Sequence, residues 1–244
     1  MVSVYGLEYE RGLCLDLHLP EGGCFDLFVY FHGGSLTGGT CGGVEVFAEP
    51  LAERGIATAT VEYRKYPNAK FPDFIEDGAA AIAWLKAHIG EYGACNRLFV
   101  GGSSAGGYIS MMLCFDGRFL AKVGMQPTDI AAYIHDAGQP TAHFNVLQER
   151  GIDSKRLIVD ETAPLFFVGT AEQYAPMLFL VSDRDMVGRY EQTMLTVKTL
   201  QHFGHGDKVF LKVMNGKHCS YVYRKDENNK SLFATEILTF LDQL

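Results

Sequence analysis

The chain has 244 residues, 48% of them hydrophobic, and a formal net charge of −8. That apolar content suffices for the core of a single α/β domain, and the acidic balance, with no Lys/Arg run, argues against a nucleic-acid or anionic-membrane partner. No stretch is apolar for long enough to span a bilayer, no basic-then-apolar leader opens the sequence, and the six cysteines form no Cys-x-x-Cys pair, so a cytoplasmic protein with reduced thiols is expected.

Residues 2–19 alternate apolar and polar side chains in two pieces broken at Arg11-Gly12, with Leu13, Leu15, Leu17 and Leu19 on one face. This period-2 pattern predicts an antiparallel hairpin at a sheet edge. A turn follows at Pro20-Glu21-Gly22-Gly23, and residues 26–31 form a continuous apolar run suited to a central strand buried on both faces. That run leads into His32-Gly33-Gly34-Ser35-Leu36-Thr37-Gly38-Gly39. A helix is expected over about 44–54, stopped by Gly55, and then a strand over 56–63. From Asp73 onward the spacing of Phe74, Ile75, Ala79, Ile82 and Leu85 predicts a helix that Gly90 and Gly93 end. Residues 97–100 read as a strand and 105–115 as a buried helix, with a glycine-rich corner between them. Residues 130–137 suit a strand. Residues 138–170 carry no sustained periodicity and are long for a plain loop, which suggests a small cap insertion over a site. A strand at 176–182, a helix at 188–203, a strand at 208–214 and a helix over about 231–244 complete one domain spanning 1–244. Strands alternating with helices imply a mostly parallel sheet covered on both faces, with chemistry collected beyond the carboxyl ends of its strands.

The glycine-rich corner, Gly101-Gly102-Ser103-Ser104-Ala105-Gly106-Gly107, sits where a nucleophile elbow would. Such a corner is strained, so the residues two before and two after the nucleophile must be small. Ser104 is flanked in this way by Gly102 and Gly106, but Ser103 also has small flanks, Gly101 and Ala105. The local pattern does not choose between them; glycine on both sides is the more permissive arrangement and favours Ser104. A serine hydroxyl needs a base within hydrogen-bond reach and a group to orient that base. His218, in the polar loop after the 208–214 strand, is the candidate base. Asp183 and Asp185 both follow the 176–182 strand, and Asp185, farther beyond its end, is better able to turn back toward the histidine. Donors for an oxyanion are available from the Ala105 N–H, at the start of a helix, and from the turn at His32-Gly33-Gly34-Ser35. His135, Asp136, Gln139, His143 and Asn145 bring polar groups near the presumed cleft, either to meet a hydroxylated alcohol portion or as solvated loop residues. No His, Cys or Asp set has metal-ligand spacing, and no cofactor is implied.

Through these residues the chain resembles the α/β-hydrolase superfamily, and within it the carboxylesterases of the hormone-sensitive-lipase-like and feruloyl/acetyl-esterase groups. The matching segments are Tyr30-Phe31-His32-Gly33-Gly34-Ser35, Val61-Glu62-Tyr63-Arg64, the run from Phe71 to Asp77 with Ala83-Trp84-Leu85 after it, and Gly102-Ser103-Ser104-Ala105-Gly106-Gly107. The second half matches mainly through Ala163-Pro164-Leu165, Asp185 and His218. The resemblance implies an α/β-hydrolase fold, a triad of Ser104, Asp185 and His218, and an oxyanion hole from the N–H groups of Gly34, Ser35 and Ala105. The chain departs from the family pattern at Ser35 and Leu36, where glycine or an aromatic and then tryptophan are usual, and in lacking N-terminal cap helices. An open, shallow site is expected, cleaving small esters with short acyl groups; acetyl groups on sugars are one substrate class the resemblance suggests. The same machinery would serve an amidase such as an arylformamidase, or a peptidase. A non-catalytic binding protein of this superfamily commonly lacks a triad member, whereas all three positions are filled here.

Overall fold

A computed structural model describes residues 1–244. The alternating opening segment folds as a hairpin of β1 (Val2–Glu10) and β2 (Leu13–Leu19), paired antiparallel at one edge of the sheet. Next come β3 (Cys24–Phe31), α1 (Glu45–Glu53), β4 (Ile56–Val61), α2 (Asp73–His88), β5 (Ala94–Ser103) and α3 (Ala105–Phe115). After a short α4 (Arg118–Ala121), which the weak pattern past Asp116 did not suggest, the chain runs through β6 (Ala132–Asp136), α5 (Phe144–Glu149), β7 (Met177–Arg184), α6 (Arg189–His202), β8 (Val209–Lys217) and α7 (Leu232–Leu241).

The eight strands form one sheet in the order β1-β2-β4-β3-β5-β6-β7-β8, antiparallel at β1–β2 and β2–β4 and parallel from β4 onward. The apolar run of β3 is explained by its place near the middle. Leu27, Val29 and Phe31 face one core with α2 and α3, while Phe28 and Tyr30 face a second core with α1 and α7. A strand buried on both faces needs apolar residues at every position, so alternation disappears. Fully burying each such side chain contributes about 1.5–3 kcal/mol, so these two cores dominate the stability. Helix α3 is buried along its whole length, in keeping with its lack of a polar face.

Three strands run farther than their apolar stretches suggest, and all three extensions matter for the site. β5 continues through Gly101 and Gly102 to Ser103, pairing with Tyr30 and Phe31 of β3 and with Ile134, His135 and Asp136 of β6. β7 reaches Arg184, so Asp183 is still in the sheet, and β8 reaches Lys217, leaving His218 as the first residue beyond it. Polar and glycine residues at strand ends are held there by their pairing partners. Residues 138–170 are irregular apart from α5 and a single 3-10 turn at Pro164–Phe167.

Candidate active site

The chain leaves β5 and enters α3 through Ser104 alone, which takes φ +58° and ψ −111°, a backbone conformation that costs a non-glycine residue of order 1–3 kcal/mol. The packing around the corner holds it there. A Cβ on Gly102 would lie 2.5 Å from the Phe31 carbonyl oxygen, and one on Gly106 would lie 1.9 Å from the same atom. Both glycines are therefore required for the elbow to sit against the end of β3. The Ser104 N–H donates to the Asp136 carbonyl at 2.8 Å, tying the corner to β6.

The two serines separate by geometry. Ser103 is 3% exposed; its hydroxyl accepts from Tyr30 OH at 2.9 Å and donates to Asp136 Oδ2 at 2.5 Å. Ser104 Oγ lies at the tip, 2.8 Å from His218 Nε2. On the other side of the imidazole, Nδ1 lies 2.5 Å from Asp185 Oδ1. A carboxylate only accepts, so Nδ1 carries the proton and Nε2 is left bare to accept from the serine. The histidine is held by the turn that follows β8: Cys219 takes φ +50°, and the Lys217 carbonyl accepts from Ser182 Oγ at 2.8 Å and from Ser220 N–H at 3.0 Å.

The two aspartates separate as well. The Asp185 side chain is fully buried and accepts from the backbone N–H groups of Ser182 (3.1 Å, on Oδ2) and Met186 (2.7 Å, on Oδ1) as well as from His218. Burial pushes its pKa up, but the hydrogen bond and charge of His218, together with the two N–H donors, outweigh that and hold it below the usual carboxylate value. Asp183 points to solvent, accepts from Gly216 N–H across to β8 at 2.8 Å, and lies 3.5 Å from Arg184 Nε. That N–H is the main cause of its lowered pKa. Its place in β7 directs it away from the histidine.

Beyond β3, His32 is buried, with Nδ1 2.6 Å from the Gly33 carbonyl and its ring stacked on Tyr63 at 4.5 Å. Tyr63 OH donates to the His32 carbonyl at 2.8 Å. Gly33 abuts the elbow so closely that its Cβ would lie 3.4 Å from Ser104 Cβ. Gly34, Ser35 and Leu36 then all take positive φ (+129°, +59° and +61°). The N–H groups of Gly34, Ser35 and Ala105 donate to no acceptor in the chain. An oxyanion requires such unpaired donors, and that of Ala105 directly follows Ser104 in the chain. The Ser35 carbonyl accepts from the Asn145 side chain, which joins α5 to this loop.

The polar set from β6 to α5 behaves differently from either sequence reading. His135, Asp136, Gln139 and His143 are all buried and neither solvated nor open to a cleft. Burial pushes both histidines down to about 3, so they remain neutral. Asn145 alone of the five lines an open cleft of about 530 Å³, with Thr37, Tyr66, Pro67, Ala69 and Glu149 among its other walls. This cleft borders the loop of Gly33 to Leu36 through Thr37 and Asn145. The sequence reading gave no site role to Tyr30 or Tyr221, which converge on Ser103 and Asp136; no local pattern marks partners 73 and 85 residues apart.

Among curated proteins, the carboxylic ester hydrolase LipN of Mycobacterium tuberculosis is 32% identical over 116 residues, 46% of this chain and 31% of LipN. The chain thus matches under a third of that relative's length. Among solved structures, a truncated carbohydrate esterase from gut microbiota superposes with a TM-score of 0.79 at 17% identity, covering 100% of this chain and 96% of that one. Esterase 2 of Thermogutta terrifontis, with butyrate bound, gives a TM-score of 0.77 at 19% identity over 99% and 92% of the two chains; the same enzyme has been seen phosphorylated by paraoxon. At these identities the likeness is one of fold. A family model for the alpha/beta hydrolase fold matches residues 28–220, from within β3 to just past His218, and the chain belongs to that family.

Proposed function

We propose that the protein is a serine carboxylesterase that cleaves small esters through an acyl-enzyme on Ser104. The observation that carries this reading is the continuous path Ser104 Oγ to His218 Nε2 (2.8 Å) and His218 Nδ1 to Asp185 Oδ1 (2.5 Å), set beside unpaired backbone N–H donors. Ser104 Oγ attacks the acyl carbon while His218 Nε2 takes the hydroxyl proton. Asp185 stays ionised, fixes the imidazole's orientation and stabilises its charged form. The carbonyl oxygen, now negative, is held by the N–H groups of Gly34, Ser35 and Ala105. Loss of one such donor typically raises the barrier by about 2.7–4 kcal/mol. As the ester C–O bond breaks, His218 returns its proton to the leaving oxygen, and the acyl group remains on Ser104. Water, deprotonated in turn by His218, attacks the acyl carbon; the bond to Ser104 Oγ breaks, His218 returns the proton to Oγ, and the carboxylic acid leaves.

Residues 138–170 serve as the cap. They add little cover beyond α5 and the 3-10 turn, and the cleft they border is open, which supports short acyl groups, acetyl among them, over long chains. The carbohydrate esterase among the fold neighbours supports a sugar alcohol as the leaving portion. The six cysteines are free thiols, in keeping with a cytoplasmic site of action, and no helix is long and apolar enough to cross a membrane. A panel of p-nitrophenyl esters from acetyl to decanoyl, with Ser104→Ala as control, tests the reading. Activity should be greatest at the short end and absent from Ser104→Ala. Retained activity in that variant would overturn the mechanism, and a maximum at long chains would overturn the acyl preference.

A further inference from the structure

Asp136 ends β6 with its carboxylate fully buried, and the proton path just described does not use it. Its oxygens gather the parts of the site that must stay in register. Oδ2 accepts from Ser103 Oγ at 2.5 Å, and Ser103 in turn accepts from Tyr30 OH of β3 at 2.9 Å. Oδ1 accepts from the hydroxyl of Tyr221, three residues beyond His218. Its own carbonyl accepts from Ser104 N–H at 2.8 Å. One residue therefore grips the elbow on one side and the histidine turn on the other. Hydroxyls aimed at a buried carboxylate form charge-assisted bonds, stronger and more directional than neutral ones.

We infer that Asp136 is a positioning residue, a carboxylate clamp that holds the His218 turn against the Ser104 elbow. The inference rests on the triad reading above. The ionisable groups that face the clamp are Tyr30 from β3; His218, Cys219, Tyr221 and Tyr223 from the histidine turn and its continuation; and Asp185 from beyond β7. Burial raises the Asp136 carboxyl to about 6, with Asp185 adding to the rise and Ser103, Tyr221 and His218 opposing it. Once it takes up a proton, one oxygen must donate, so one of the two incoming hydroxyls loses its acceptor and the clamp opens. Acid should therefore weaken catalysis through the clamp.

The test is the pH dependence of kcat and kcat/KM on p-nitrophenyl acetate for wild type, Asp136→Asn, Tyr221→Phe and the double variant. The acid limb of log kcat/KM should be steeper by one proton in wild type than in Asp136→Asn. Each single variant should lose about tenfold to a hundredfold in kcat, with KM within about threefold. The double variant should be little worse than either single one, because both remove the same clamp. An acid limb equally steep in wild type and Asp136→Asn, wild-type kcat in Asp136→Asn, or fully additive losses would overturn the inference. If Asp136→Asn does not fold, Tyr221→Phe decides alone: unchanged kcat and an unchanged limb would refute the clamp. Ser104→Ala separates the two claims. If it stays active the triad reading has failed, whereas if it is inactive and the clamp variants match wild type, only the clamp has failed.

Discussion

Asp183 and Asp185 are two residues apart with the same functional group, and what separates them is where β7 ends. Asp183 is the penultimate residue of the strand and spends its carboxylate on the Gly216 N–H at the surface; Asp185 lies one residue past the strand's end, turns inward and meets His218 Nδ1. Under the proposed mechanism Asp185→Asn leaves the fold intact but offers His218 the wrong partner, and kcat should fall by on the order of a thousandfold or more. Asp183→Asn removes an exposed acceptor and should change kcat by less than about threefold. Steady-state kinetics on p-nitrophenyl acetate check both, and a larger loss at Asp183 would reverse the assignment. Sequence alone narrowed the acid to this pair and favoured Asp185, but could not locate the end of β7, whose last pair is Arg184 with Lys217 of β8.

At the scale of elements, the elbow works because three chain segments meet with almost no side-chain volume between them. The end of β3 lies against Gly102 and Gly106, and the start of α3 lies against β6, where a Cβ on Gly107 would approach the Asp136 carbonyl to 2.6 Å. Gly106→Ala puts a methyl 1.9 Å from the Phe31 oxygen, so either the helix or β3 must move. The expected cost is about 3 kcal/mol in urea unfolding, together with loss of esterase turnover, since the Ala105 N–H moves with the helix. An unaltered midpoint would show that the corner is looser than described. This part of the site was legible because its constraints fall within five consecutive residues. The clamp was not, because Ser103, Asp136 and Tyr221 are brought together by sheet order, and each taken singly reads as an ordinary polar residue near a strand end.

For the whole molecule, the sheet's two apolar cores also bury groups that titrate. His135 sits among Phe115, Tyr133 and Phe179, and His143 lies against Tyr108 and Phe144; burial depresses both to about 3. A histidine with a depressed folded pKa contributes stability that is fully present above its unfolded value of about 6.5 and is lost as pH falls toward about 3. Each should cost about 1.4 kcal/mol per pH unit across that window. Asp136 works in the opposite sense. Its raised pKa makes its ionised form costly in the fold, so its penalty is absent below about pH 4 and complete above about 6. Urea unfolding of His135→Asn against wild type should therefore show a stability difference that changes by about 1.4 kcal/mol per pH unit between about 6.5 and 3. Parallel curves would mean that the histidine is not buried neutral. Strand alternation and the parallel sheet were readable from hydrophobic patterning, but the burial of these polar residues was not, since period and polarity alone place a histidine on a loop as readily as inside. The central claim, that Ser104 is the nucleophile of an esterase, is tested most directly by trapping. The protein is incubated with paraoxon, residual activity is followed on p-nitrophenyl acetate, and the modified residue is found by peptide mass spectrometry. The account predicts one diethylphosphoryl group per chain, on Ser104, forming in step with loss of activity, and none on Ser104→Ala; a label on Ser103 or elsewhere, or full activity in the labelled protein, would contradict it.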